Sequence, residues 1–219
     1  MSIELPKGYL SYSALSTWKS APDMFRARYY EGAPYLSTPY TEFGNKVGNA
    51  LETGNLFHSC LEEVPRYDVM EKKLEVEIEG VPFLMYLDSF DSDTLAIAEY
   101  KTGIIGPGGR EPWDRVKVRK HIQLPIYALG VREQFGDWNP DLKLVWMETK
   151  WSTVDHETKF QDQTFLERRP GLKLTGRVET FERTIAEWEL DRMATLIRTA
   201  AEEITEDYKI WKKTATSKK

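Results

Sequence analysis

Glu99 and Lys101 stand two residues apart in Leu95-Ala-Ile-Ala-Glu-Tyr-Lys-Thr-Gly103, a segment with almost no polarity before Glu99. Ala96, Ile97 and Ala98 suit a central strand covered on both faces. Residues two apart on a strand share a side, so Glu99 and Lys101 share one, expected to be that of Leu95 and Ile97. A carboxylate and an ammonium in such a place are costly unless they pair or bind something. Together they can hold a hard divalent cation and steady the charge on a phosphate.

Four further features are expected to converge on this pair. Asp88 closes the preceding strand, in Met85-Tyr-Leu-Asp88, and Glu52 closes the helical segment Asn49-Ala-Leu-Glu52. Gln123 and Tyr127 have the i, i+4 spacing that places both on one helix face. The loop and helix after Lys101 carry Arg110, Arg115, Lys117, Arg119 and Lys120. Each has a plainer explanation. Asp88 suits a turn, Glu52 and the basic run suit solvated helix faces, and Gln123 with Tyr127 suits a packed helix with a satisfied hydroxyl. Trp113 and Trp151 can stack on bases of single-stranded DNA or simply belong to the core.

The elements that must position these residues read as follows. Ser11 caps a first helix carrying Ala14, Leu15 and Trp18, and Pro22 opens a second through Phe25 and Tyr29. A helix is expected from Thr41 to Glu62, although Gly44, Gly48 and Gly54 weaken it. Lys72 to Ile78 alternates apolar and charged residues as a half-buried strand does, and Glu79-Gly80 marks a hairpin turn into Val81–Asp88. A turn over Ser89–Asp93 precedes the Leu95–Lys101 strand. A tight hairpin there would set Asp88 opposite Leu95, so convergence with Glu99 requires a bend or bulge. Asp114 to Phe135 reads as one helix, Leu142 to Lys150 as a strand, and residues 151–177 are ambiguous. A long amphipathic helix lies within Glu179–Lys213. The expected fold is α/β, a central mixed β-sheet flanked by helices, with a long C-terminal helix. It forms one domain over 1–219, with a core at about 9–150 and a helical extension at about 179–213.

Composition bounds the function. The chain has 219 residues, 41% hydrophobic and 30% charged, with a net charge of −5. Nucleic acid, if bound, must meet local basic patches rather than the whole surface. Cys60 is the one cysteine, which excludes an internal disulfide and a cysteine metal cluster. No apolar run approaches the roughly 20 residues of a membrane span, and the first residues lack the pattern of a signal peptide. A cytoplasmic protein without membrane contact is expected, in a bacterial cytosol or a phage-infected host. No G-x-x-x-x-G-K-[ST] motif is present, so any motor is another chain.

Taken in order, the set resembles the PD-(D/E)XK nuclease superfamily, and within it the RecB-type branch that includes CRISPR-adaptation exonucleases and many phage nucleases. The resemblance covers about Tyr9 to Tyr127. Tyr9 to Trp18 is similar to the family's opening helix, and Pro22 and Phe25 to its "C-P-x-x-F" step, with Ala21 at the cysteine. Phe43-Gly44 through Leu51-Glu52 looks like the first-motif helix. Asp88 matches the metal-binding aspartate, Glu99-Tyr-Lys101-Thr-Gly103 the "(D/E)-x-K-T-G" core, and Gln123 to Tyr127 the "Q-x-x-x-Y" motif. Three positions depart from the pattern. Gly48 stands where the branch has a metal-binding histidine, Met85 where it often has glycine, and the iron–sulfur cysteines of some relatives are absent.

The resemblance implies a Mg2+- or Mn2+-dependent deoxyribonuclease, with exonuclease action expected, in DNA recombination, repair or phage DNA metabolism. Asp88 and Glu99 would ligate metal with the Tyr100 carbonyl, and Glu52 would lie nearby. Lys101 would act on the attacking water, and Gln123 and Tyr127 would position the strand. The basic residues at 110–120 would contact phosphates. No iron–sulfur cluster is expected. DNA is the expected partner, with a recombination or replication protein beside it, and oligomerisation stays open. The alternative is a nuclease fold without activity that binds DNA ends or a protein. A third possibility has no nucleic acid at all, with Glu99 simply bridged in the core.

Overall fold

The computed structural model describes residues 2–105, 112–136, 140–160 and 163–216. Its elements run β1 (Leu10–Ser11), α1 (Tyr12–Ser20), α2 (Pro22–Tyr29), α3 (Pro39–Thr53), a 3-10 turn (Ser59–Glu63), β2 (Val69–Ile78), β3 (Val81–Phe90), β4 (Ile97–Ile104), α4 (Arg115–Lys120), α5 (Gln123–Phe135), β5 (Leu142–Phe160), β6 (Gln163–Arg183) and α6 (Glu187–Thr216). Six strands form one mixed sheet in the order β1-β3-β4-β5-β6, with β2 on the remaining edge of β3. The protein is α/β, a mixed sheet flanked by helices, and its last helix is 30 residues long.

Two cores sandwich the sheet. On one side Leu15, Phe25, Leu124, Ile126, Met193 and Ile197 pack on Phe83, Ile97, Leu144 and Trp146. On the other, Phe43, Val47 and Leu51 of α3 meet Ala98, Val145 and Met147. The alternation of Ile97 with Ala98, and of Leu144 and Trp146 with Val145 and Met147, sends successive side chains into opposite cores.

The arrangement of β3 matters most for function. β2 pairs with β3 along its whole length, antiparallel through the Glu79-Gly80 turn. Both turn residues have positive φ, 51° and 73°, which suits a two-residue hairpin. The opposite edge of β3 is shared. β1 pairs in parallel at Phe83 and Leu84, and β4 pairs antiparallel at Ser89 and Phe90. Between them, residues 85–88 carry no strand on that side.

Several boundaries differ from those read in the sequence. The helix expected over Thr41–Glu62 begins earlier, capped by Thr38, and stops at Thr53, where Gly54 adopts φ 74°. Leu61 is buried as expected, but on the 3-10 turn, whose first N–H groups are met by the His58 ring at Cys60. The helix expected over Asp114–Phe135 breaks at His121 and Ile122. Pro125 is the reason, because in a continuous helix its ring would collide with the His121 carbonyl. That carbonyl instead accepts from Arg183, as does Val118 at 2.9 Å. Residues 151–160 and 163–177 are strand, since β5 and β6 extend well past β4. β6 continues through Glu179 to Arg183, so α6 starts at Glu187, and Ile185 precedes it. Trp188, in the first turn of α6, is 63% exposed. No helix among the described residues is long and apolar enough to cross a membrane.

Candidate active site

The turn between β3 and β4 decides the geometry. It spans residues 91–96 rather than tightening at Ser92, and Leu95 takes φ 59°, rare for a residue with a Cβ. The resulting register pairs Ser89 with Ala98. One step further, Asp88 lies opposite Glu99, not opposite Leu95. The ladder ends there. The Asp88 carboxylate accepts the Tyr100 backbone N–H at 2.7 Å, in place of a strand carbonyl. N–H and C=O of one strand residue face the same neighbour. The Tyr100 carbonyl therefore also faces the gap that opens between β3 and β4.

A cavity of about 640 Å³ occupies this gap. Its walls include Glu52 and Gly48 of α3, Glu71 of β2, Asp88, Glu99, Lys101 and Gln123. Glu99 is 1% exposed and its Oε2 has no hydrogen-bond partner. Its Oε1 is bound by Lys101 Nζ. Lys101 also donates to Gln123 Oε1 at 2.9 Å, and Gln123 Nε2 donates to the Tyr127 hydroxyl at 2.7 Å. The polar chain Glu99–Lys101–Gln123–Tyr127 thus crosses from β4 to α5 and fixes which way the Gln123 amide points. The Tyr127 hydroxyl, having accepted from Gln123, keeps its own proton to donate.

Burial pushes the Glu99 carboxyl up to about 8; Lys101 opposes the shift and Asp88 adds to it. Burial raises Asp88 too, against the Tyr100 N–H. For Lys101, burial pulls down, but the Glu99 carboxylate more than reverses this and leaves it raised. Tyr127 is held well above its ordinary range by burial and by Glu99.

Glu71 is a site residue that the sequence reading missed. It faces Asp88 across β2–β3 and holds φ 51°, a left-handed strain of about 1 kcal/mol. Burial raises its carboxyl, and Asp88 and Glu52 raise it further. The signal was available. A two-residue turn at Glu79-Gly80 makes paired positions sum to 159, which puts residue 71 opposite residue 88. Starting the strand at Lys72 hid it.

Glu52 lies on the cavity wall but is exposed. Among the described residues no three His, Cys, Asp or Glu side chains are grouped so as to hold a metal ion by themselves. Tyr100 lines the cavity, and its hydroxyl is spent on the Pro65 carbonyl at 2.7 Å. The basic residues gather elsewhere. Arg115, Arg119 and Lys120 of α4 line a separate groove of about 1040 Å³ against the end of β6 and the start of α6, with Arg192 and Trp188. Lys117 folds back onto the Pro112 carbonyl at 2.8 Å. Arg110 lies outside the described residues. Trp113 is partly buried against His121, whereas Trp151 is exposed.

No protein-family model and no curated protein sequence matches the chain. Its fold is similar to that of a "Putative exonuclease" from Eubacterium rectale, solved by crystallography. The TM-score is 0.56 at 12% identity, over 92% of this chain and 83% of that one. At that identity the likeness is one of fold alone.

Proposed function

We propose that the protein is a metal-dependent nuclease of the PD-(D/E)XK type, hydrolysing phosphodiester bonds in DNA at the gap between β3 and β4. The observation that carries this reading is Glu99. A fully buried carboxyl with an unpartnered oxygen is expensive to keep. Asp88 against it makes matters worse, unless a cation comes between them. The donors fit a hard divalent ion such as Mg2+ or Mn2+: Asp88, Glu99 and the Tyr100 carbonyl are all oxygen, and waters can complete the shell. Glu71 and Glu52 add negative charge at the wall. The "Putative exonuclease" from Eubacterium rectale lends the fold analogy, and analogy alone.

The metal would supply an acidified water and charge stabilisation at the phosphate. The chain's own residues do the rest. Lys101, anchored by Glu99 and Gln123, presents its ammonium to the reacting phosphate and opposes developing negative charge. Gln123 holds Lys101 in place and orients Tyr127. Tyr127, buried beside a cavity next to α1, holds the Gln123 amide in that orientation. Arg115, Arg119 and Lys120 lie off the cavity, so they hold flanking phosphates rather than the scissile one. A recombination or replication protein is the natural partner for such a chain, and oligomerisation is compatible with it.

The test is cleavage of linear and circular DNA, single- and double-stranded, with Mg2+, Mn2+ or EDTA. Metal-dependent cleavage is expected, and Lys101→Ala should reduce it by about 10² or more. Asp88→Ala should abolish metal binding as well. A second reading keeps the fold but not the chemistry, binding DNA ends or a protein partner. Gly48 in place of histidine favours it. DNA binding without cleavage under every metal condition would select it.

A further inference from the structure

Two large aromatic side chains stand at the lip of the carboxylate cavity. Tyr40, in the first turn of α3, lines the cavity itself. Trp151 lies on β5 two residues beyond its last pairing with β4, at Ile104–Thr149. Their rings meet edge to face, with centroids 5.8 Å apart and an interplanar angle of 76°. Tyr40 is 49% exposed and Trp151 47%. Single exposed aromatics are ordinary on a surface. Two in mutual contact, both half in water, forgo part of the burial open to large aromatic side chains, and here they border a cavity.

We propose that Tyr40 and Trp151 form a stacking platform for an unpaired nucleobase, so that the strand entering the cavity is single-stranded nucleic acid. The proposal deepens the nuclease reading and rests on it. An edge-to-face pair leaves one ring with both faces clear of its partner. Bases inside a duplex have their faces covered by neighbours, whereas an unpaired base offers one to such a ring. Stacking of this kind tolerates any base.

The wall between the platform and the carboxylates is open. Tyr40, Gly44, Gly48 and Glu52 recur at intervals of four and share one face of α3. A Cβ at Gly48 would meet nothing within 4 Å, and one at Gly44 would meet only the Thr102 hydroxyl at 3.7 Å. From Tyr40 to Gly48 is about 12 Å along the helix axis, a bare track from the stacking rings to Asp88 and Glu99. The capping box between Thr38 and Thr41 fixes the turn that carries Tyr40.

Binding of 12-residue oligothymidylate and of a matched abasic oligomer, both in EDTA, tests this directly. The abasic chain keeps every phosphate and loses every base. Wild type should bind oligothymidylate about tenfold more tightly than the abasic chain. Trp151→Ala and Tyr40→Ala should each shrink that ratio towards one while leaving abasic affinity and thermal stability unchanged. Trp151→Phe should restore much of it. Oligouridylate, run beside them, tells whether the platform also takes RNA, and a base-dependent ratio with either strand supports it. A ratio unmoved by both alanine variants overturns the platform. If wild type still cuts DNA only with metal, the nuclease reading survives that result. Wild type that neither cuts DNA nor binds either oligomer overturns both.

Discussion

The carboxyl groups of Asp88 and Glu99 face each other where β3 and β4 part, one residue beyond the Ser89–Ala98 pair. Burial raises the cost of ionising both, and Asp88 raises it further for Glu99. Near neutral pH the metal-free protein therefore keeps a proton on Glu99 that a divalent cation must displace.

Metal binding should accordingly release about one proton at pH 7. Calorimetric titration of Mn2+ in two buffers of different ionisation enthalpy measures this number. Apparent affinity should rise about tenfold per pH unit as pH approaches 8, then level off. Glu99→Gln should bind weakly and without that slope. Wild-type binding that is flat from pH 6 to 8 would contradict the assignment of the proton to Glu99.

Stability without metal should run the other way. The Glu99 carboxyl is raised from 4.5 to about 8 in the folded protein. Between those values the folded state binds a proton that the unfolded state has lost, so folding weakens as pH rises through this window. Asp88 is shifted in the same direction and adds to the trend. The Lys101 shift acts only above pH 10 and does not enter. Denaturant midpoints in EDTA should therefore fall from pH 5 to pH 8, and Glu99→Gln should flatten the curve.

Gly48→His tests where the metal lies. A Cβ there has open space, and replacing a mid-helix glycine should add about 0.5 kcal/mol of stability. The imidazole would face the cavity that holds Asp88 and Glu99. Mn2+ should then bind more tightly while Mg2+ changes little, because imidazole suits manganese better. An unchanged Mn2+ affinity in a stabilised variant would place the ion away from this wall.

Met85 and Gly130 are matched in size. A Cβ at Gly130 would fall 2.4 Å from the Met85 sulfur. Met85 is buried, so its thioether end must repack among its neighbours or turn into the cavity it lines. Gly130→Ala should cost about 1–3 kcal/mol despite the better helix former. In a Met85→Ala background the same change should become stabilising by about 1 kcal/mol. A thermal double-mutant cycle reads both signs.

Much of the architecture was legible because local chemistry fixed it. Ser11, Pro22 and Glu79-Gly80 each dictate a cap or turn through their own backbone preferences, and the sheet elements follow from alternation. The decisive register was not legible. It depends on Leu95 holding a left-handed conformation, and nothing about leucine advertises that. The hairpin beyond Lys150 was opaque for another reason: its strands pair only with each other, and between Trp151 and Arg177 only Leu172 and Leu174 are buried among the described residues, too short a buried face to impose a long alternating pattern. The break before Gln123 was readable from Pro125 in principle. The placing of the basic helix was not, because it depends on Arg183, some sixty residues later, reaching across to the Val118 and His121 carbonyls.

The shared edge of β3 has a consequence for how the protein comes into being. β1, which borders the gap on one side, is reached from Glu4, whose backbone N–H and carbonyl are both held by the Thr205 hydroxyl of α6. Contacts separated by 201 residues carry a large loop-closure entropy and form late. A chain still emerging from the ribosome without α6 has β3 and β4 in hand but nothing to seat that border. The cleft is thus framed only when the segment before β1 meets α6, which delays competence until α6 has been made.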